Sequence, residues 1–97
     1  MRDLAALTVD DFRAFHGATF RLRWGDVDVP LVLEEVTAVG QRPGHRDPFS
    51  LVFRGPPGGV LPQQQHQLSG DGFGEVEIFL VPIGADGEGV RYEAVFT

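Results

Sequence analysis

The fold is decided by the last quarter of the chain, which contains EVEIFLV at residues 75–81 and VRYEAVF at residues 90–96. Apolar and polar side chains largely alternate in both segments. Because every second side chain of a β-strand points to the same side, this alternation gives each strand one apolar face. Between them, ADGEG at residues 85–89 supplies two glycines that can adopt positive φ. Alternation with a period of two on both sides of a Gly/Asp cluster predicts a β-hairpin.

The preceding residues show the same alternation in shorter segments. They predict strands over residues 18–24, 27–39 and 49–54, and a polar, exposed strand over residues 63–68. In the second of these, the inward parity changes at Glu34 and Glu35, which predicts a β-bulge. Pro30 lies in the same segment and has no N–H to donate, so we expect an edge or a bend there.

One short helix is predicted over residues 7–17. Thr8 is a good N-cap, and Asp11 follows three residues later as its capping-box partner. Phe12 and Phe15 share one face of this helix. Because two helical turns are unstable alone, these rings must dock on the sheet, and a plug over one open end is one position open to them.

These elements predict one all-β domain over residues 1–97, with about six strands and one short N-terminal helix. The architecture is either a small antiparallel barrel or a two-sheet sandwich. A ligand-binding barrel needs an interior void, whereas the sequence predicts a core filled by large rings. The predicted core aromatics are Phe20, Trp24, Phe49, Phe53, Phe79, Tyr92 and Phe96.

Composition narrows the classes of function. The chain has no cysteine, which excludes disulfides, thiolate catalysis and cysteine-ligated zinc. Its formal net charge of -6, with eight arginines and no lysine, argues against non-specific nucleic-acid binding. No apolar run reaches the length of about 18 residues that a membrane helix needs, and the first residues do not have a signal-peptide pattern. We therefore expect a soluble cytoplasmic protein, unless it is exported without such a signal, with no nucleic-acid or membrane partner.

The residues that usually perform catalysis form no recognisable motif. His16, His45 and His66 fall on three separate predicted elements, and we interpret them as surface residues rather than as metal ligands. Neither Ser50 nor Ser69 lies in a nucleophile elbow, since Ser50 faces outward from a strand and Ser69 opens a turn. The sequence therefore predicts a non-enzyme with no catalytic residue, no metal and no cofactor.

The carboxylates and glycines have ordinary structural interpretations. Glu75 and Glu77 share a solvent face, and Arg21 or Arg23 is expected to pair with them or with Glu93 across strands. The glycine clusters at residues 70–74 and 86–89 lack the helix or ligand ladder of a phosphate or calcium loop. Both clusters are predicted to be hairpin turns.

The candidate partner-binding residues are Phe79, Val81 and Val95, which lie opposite the core parity of the C-terminal hairpin. An apolar stripe is unusual on the solvent face of an antiparallel sheet. Two explanations are open. The helix packs on the stripe through Phe12 and Phe15, which is the simpler explanation, or another protein chain covers it.

Several motifs run through nearly the whole chain in a fixed order: LTVDDF at 7–12, PFSLVFRGP at 48–56, LPQ at 61–63, FLVPIG at 79–84 and RYEAVF at 91–96. With them the chain resembles a small bacterial family described only as a domain of unknown function. The absence of lysine and asparagine also indicates a GC-rich bacterial genome. Genes of this family tend to lie near phage-tail-collar-like fibre genes, which implies an accessory role in a fibre or tail-like assembly.

The expected function is therefore a non-enzymatic interaction or accessory module. Its partner would be a protein, either a fibre or tail-like component or a second copy of the chain. The alternative is a small ligand-binding β-barrel.

Overall fold

The computed structural model describes residues 1–41 and 43–97, so residue 42 of the loop predicted over residues 40–48 lies outside the described residues. The strands are β1 (Thr19–Trp24), β2 (Val27–Ala38), β3 (Phe49–Gly55), β4 (Gln64–Gly70), β5 (Gly74–Asp86) and β6 (Gly89–Phe96). Before them come a short 3-10 helix (Leu4–Ala6) and helix α1 (Val9–Arg13). The predicted all-β class with a short N-terminal helix is confirmed.

The six strands form a closed antiparallel barrel in the order β1-β2-β3-β6-β5-β4. Pairing of β1 with β4, from Arg21 opposite Ser69 to Arg23 opposite Gln67, closes the ring. Of the two predicted architectures, the protein adopts the barrel. The C-terminal hairpin is confirmed as β5 and β6, and β5 extends to Asp86, beyond the segment first predicted.

The predicted bulge in β2 is present. The register with β3 shifts between Leu33 and Glu35, so the inward parity changes there. Pro30 pairs with Arg21 of β1, whereas the ladder to β3 begins only at Val32. The missing N–H of Pro30 therefore lies where β2 has a neighbour on one side only.

Helix α1 is shorter than predicted. The carboxylate of Asp11 accepts hydrogen bonds from the backbone N–H of Thr8 at 2.8 Å and from its hydroxyl at 3.2 Å, which fixes the start of the helix. The helix ends early because the chain must join the sheet. Gly17 has a φ of 85°, and its N–H donates to the carbonyl of Leu33 at the bulge, at 2.8 Å.

Of the two positions considered for the helix, the plug over one end of the barrel is the one that the structure shows. Phe12 is fully buried, and its ring centroid lies 5.8 Å from Phe49, 5.2 Å from Phe73 and 5.5 Å from Phe96. Phe15 packs edge-on against Phe73 at 5.2 Å. We call this end of the barrel the helix end, and we call the opposite end, where the chain turns at Gly25 and Asp26, the mouth.

The segment before α1 is also fastened at the helix end. The guanidinium of Arg46 donates to the carbonyls of Leu4, Ala5 and Leu7, at 2.9, 3.1 and 2.7 Å, and to that of Thr97 at 3.2 Å. These bonds join the N-terminal segment to the end of β6. The helix end is therefore closed by both α1 and this segment.

Inward-facing side chains fill the barrel, as predicted, but two of the seven predicted core aromatics are wrong. Trp24 is 42% exposed and Phe79 is 45% exposed. Trp24 has the inward parity, but it is the last residue of β1 and stands at the mouth, beyond the packed layers. Phe79 has the outward parity of β5, between the buried residues Ile78 and Leu80.

Candidate functional site

The stripe of Phe79, Val81 and Val95 is open to solvent on the outer face of the barrel. Phe79 is 45% exposed, Val95 is 64% exposed and Val81 is half-buried. The simpler explanation, that the helix packs here, is wrong, because Phe12 and Phe15 are occupied at the helix end. Within residues 1–41 and 43–97, the stripe keeps an exposed apolar surface after the helix has docked.

The stripe lies where the ladder between β5 and β6 stops. Their pairing runs from Asp86 opposite Gly89 to Val81 opposite Glu93. Beyond that pair, Phe79 is paired with Gln65 of β4, and Val95 with Ser50 of β3. Beyond the pair of Val81 and Glu93, β5 is therefore paired only with β4, and β6 only with β3. Phe79 lies on one side of the unpaired line between β5 and β6, and Val95 lies on the other.

Carboxylates lie on the same two strands as the stripe. Glu75 and Glu77 are exposed on β5, and Glu93 is half-buried on β6. None of the three forms a salt bridge among the described residues, so the predicted pairing with Arg21 or Arg23 is wrong. The reason is topological, because the neighbours of β1 are β2 and β4.

The arginines are already occupied elsewhere. Arg21 pairs with Asp71 at 3.0 Å, and Arg23 with Asp28 at 3.5 Å. The stripe is therefore an apolar surface with an acidic border, which we call the acidic rim and define as Glu75, Glu77 and Glu93.

A charged network lies on the outer face near the bulge. Glu34 accepts hydrogen bonds from Arg54 at 2.9 Å and from Arg91 at 3.2 Å, and Arg91 also contacts Asp86 at 2.9 Å. The bond from Arg54, with that from Arg91, lowers the pKa of Glu34, although desolvation opposes it. The backbone N–H of Glu88, with Arg91, lowers the pKa of Asp86. This network ties together four strands, β2, β3, β5 and β6, so its structural role is sufficient to explain it.

Of the three histidines, only His16 and His45 are at the surface as predicted. His16 is exposed, and its Nε2 lies 2.8 Å from the carbonyl of Glu34 at the bulge. His66 is buried, and its Nε2 lies 2.9 Å from the carbonyl of Pro62, so its surface assignment is wrong. Among the described residues, no group of three or more His, Cys, Asp or Glu side chains could hold a metal ion.

The serines and the glycine clusters are explained by the sheet. Ser50 is half-buried on β3 with outward parity, as predicted. Ser69 lies within β4, opposite Glu75, rather than in a turn. The cluster at residues 70–74 does form the β4–β5 turn, in which Gly72 and Gly74 have φ values of 79° and 97°.

The sequence reasoning missed an apolar groove at the mouth. It has a volume of about 250 Å³, and it is lined by Trp24, Val29, Pro56, Pro57, Gly59, Val60, Leu61 and Tyr92. The hydroxyl of Tyr92 accepts a hydrogen bond from the backbone N–H of Leu61 at 3.0 Å, which holds the β3–β4 loop over the barrel. The available signal was an aromatic residue at a strand end beside the turn Gly25–Asp26, facing a Pro-Pro pair.

The described residues contain no helix that is long and apolar enough to cross a membrane. In the comparisons, a family model described as a domain of unknown function, DUF6916, matches residues 7–96. Neither the curated proteins nor the solved structures yielded a match.

Proposed function

The chain belongs to the family of domains of unknown function DUF6916, and we propose that it is a non-enzymatic protein-interaction module. Its docking surface is the stripe of Phe79, Val81 and Val95. The observation that carries this proposal is the exposure of Phe79 and Val95 beside the end of the β5–β6 ladder. Exposed apolar patches with polar borders are typical of protein-binding surfaces.

The acidic rim favours a partner other than a second copy of the chain. In a twofold dimer through the stripe, Glu77 and Glu93 would meet carboxylates of the same kind, and facing like charges are destabilising. A partner with apolar side chains bordered by lysine or arginine would complement both features. Within the bacterial setting that the sequence suggests, we propose a fibre or tail-like component as that partner.

The alternative of a ligand-binding barrel finds less support in the interior. Phe20, Phe53 and Leu51 are fully buried at the centre of the barrel, and Phe20 packs edge-on against Phe53 at 5.6 Å. Side chains therefore occupy the space that an interior ligand would need. The mouth groove is a separate and shallower feature.

The test is co-purification with the products of the genes that flank its own. We expect the wild-type protein to retain one of these products, and Phe79→Glu and Val95→Glu to lose it. Val27→Glu is the matched control, because Val27 is 56% exposed and begins β2 at the mouth, at the opposite end of that strand from the residues that neighbour Val95 through β3. Val95→Glu and Val27→Glu should unfold within about 0.5 kcal/mol of wild type, as surface substitutions usually do. Phe79→Glu should cost about 1 kcal/mol, because its side chain is only 45% exposed.

Retention by the stripe variants, or no retention by the wild type, would contradict the proposal. Light scattering of the wild type and of the stripe variants tests for the other outcome, which is self-association. A wild-type dimer that both stripe variants dissociate would identify a second copy as the partner, against the argument from the acidic rim.

A further inference from the structure

The groove at the mouth has the features of a built binding site. Trp24 forms one wall and packs against the buried ring of His66, with centroids 5.9 Å apart. Pro56 and Pro57 also line the groove, and their rings restrict the backbone of the loop. Because the bond from Leu61 to Tyr92 also holds this loop, the groove is formed before any ligand arrives.

The size and the lining of the groove restrict its occupant. A volume of about 250 Å³ is below the range of about 300–1,000 Å³ that is common for drug-sized ligands. All eight lining residues are uncharged, and Trp24 offers an indole that is 42% exposed. The occupant is therefore small, and it presents apolar groups to the indole.

Charge at the mouth favours a cation. Asp26 follows Trp24 in the tight turn, and it forms no salt bridge among the described residues. The cations near this end are neutralised, since Arg23 pairs with Asp28, and Arg91 pairs with Asp86. The chain also has no lysine and a net charge of -6, so its electrostatic field does not favour an anion at the mouth.

We propose that the mouth groove binds a small organic cation with apolar substituents, such as a quaternary ammonium group, over the face of Trp24. Tryptophan is the best aromatic partner for such a cation, and quaternary ammonium ions are the typical ligands of aromatic walls. Asp26 adds a long-range attraction without a direct contact. This site is independent of the stripe, which lies on the outer wall of the barrel.

The experiment compares choline with 3,3-dimethylbutan-1-ol, which has nearly the same shape but no charge. Trp24 is the only tryptophan, so intrinsic fluorescence reports on the groove directly. We expect saturable binding of choline, at least about threefold tighter than that of the neutral compound. We also expect Asp26→Asn to weaken choline binding and leave the neutral compound unaffected.

Asp3→Asn is the matched control, because Asp3 is exposed, forms no salt bridge among the described residues and precedes the 3-10 helix at the helix end. It should leave choline binding unchanged. The proposal is overturned by equal affinity for the two compounds or by unchanged choline affinity in Asp26→Asn. It is also overturned if no saturable change occurs up to about 50 mM, where even a millimolar site would be filled.

Discussion

Phe12→Ala is expected to lower the free energy of unfolding by about 3–5 kcal/mol, the range for removing a buried phenylalanine ring. Phe12 is fully buried and contacts Phe49, Phe73 and Phe96 at the helix end. The substitution removes the ring that joins α1 to three parts of the barrel. Because α1 is only five residues long, it cannot persist without this docking.

The matched control is Phe79→Ala, the same chemical change at an exposed ring. We expect it to cost about 1 kcal/mol, well below the loss for Phe12→Ala, because Phe79 is 45% exposed and only the rest of its side chain leaves a packed surface. Urea denaturation of both variants measures the difference. Equal losses, or a loss below about 1 kcal/mol for Phe12→Ala, would show that the helix does not hold the end of the barrel.

Gly89→Ala is expected to cost about 3 kcal/mol or more, because the new methyl group has no space and the backbone has the wrong shape for it. Gly89 has a φ of 147°, which side chains rarely adopt. A Cβ at this position would overlap the carbonyl oxygen of Gly55 and lie 3.2 Å from Cγ of Arg54. Since the clash is with backbone, β3 and β6 must separate to relieve it.

Gly87→Ala is the control in the same turn. Nothing lies within 4 Å of a Cβ built at Gly87, and its φ is outside the left-handed range. It should change stability by no more than about 0.5 kcal/mol. Thermal unfolding of the pair measures the difference, and a near-neutral Gly89→Ala would mean that β3 and β6 do not approach as closely as described.

The order of inward and outward residues could be read from the sequence wherever a strand has neighbours on both sides. The C-terminal hairpin and the bulge after Leu33 were predicted for this reason, whereas docking of Phe12 was predicted because so short a helix is unstable alone. Parity also places Phe79 outside, so its inclusion in the core was wrong even on sequence grounds.

The sequence could not specify which residues would cover the end or the face of a given strand. Trp24 has core parity, but β1 ends there and no packed layer covers it. His66 looked exposed within a run of glutamines, yet closure of the barrel turns it inward with Leu68. Closure depends on β1 pairing with β4, a non-local contact that no local pattern encodes, and the groove at the mouth follows from it.

The exposure of the stripe also depends on a long-range contact, the docking of Phe12 at the helix end. Alternation identified Phe79, Val81 and Val95, but it could not decide between the helix and another chain. Docking of Phe12 at the helix end removes the helix as a cover. The folded chain therefore leaves this apolar surface open to solvent.

Thiol labelling of Val95→Cys tests that claim most directly, because the chain has no other cysteine. The reference is Val39→Cys, at a residue of similar exposure outside the stripe. In a monomer verified by light scattering, we predict that Val95→Cys reacts as fast as Val39→Cys under native conditions. Labelling of Val95→Cys only at the rate of global unfolding would contradict the account, because the stripe would then be covered within the chain itself.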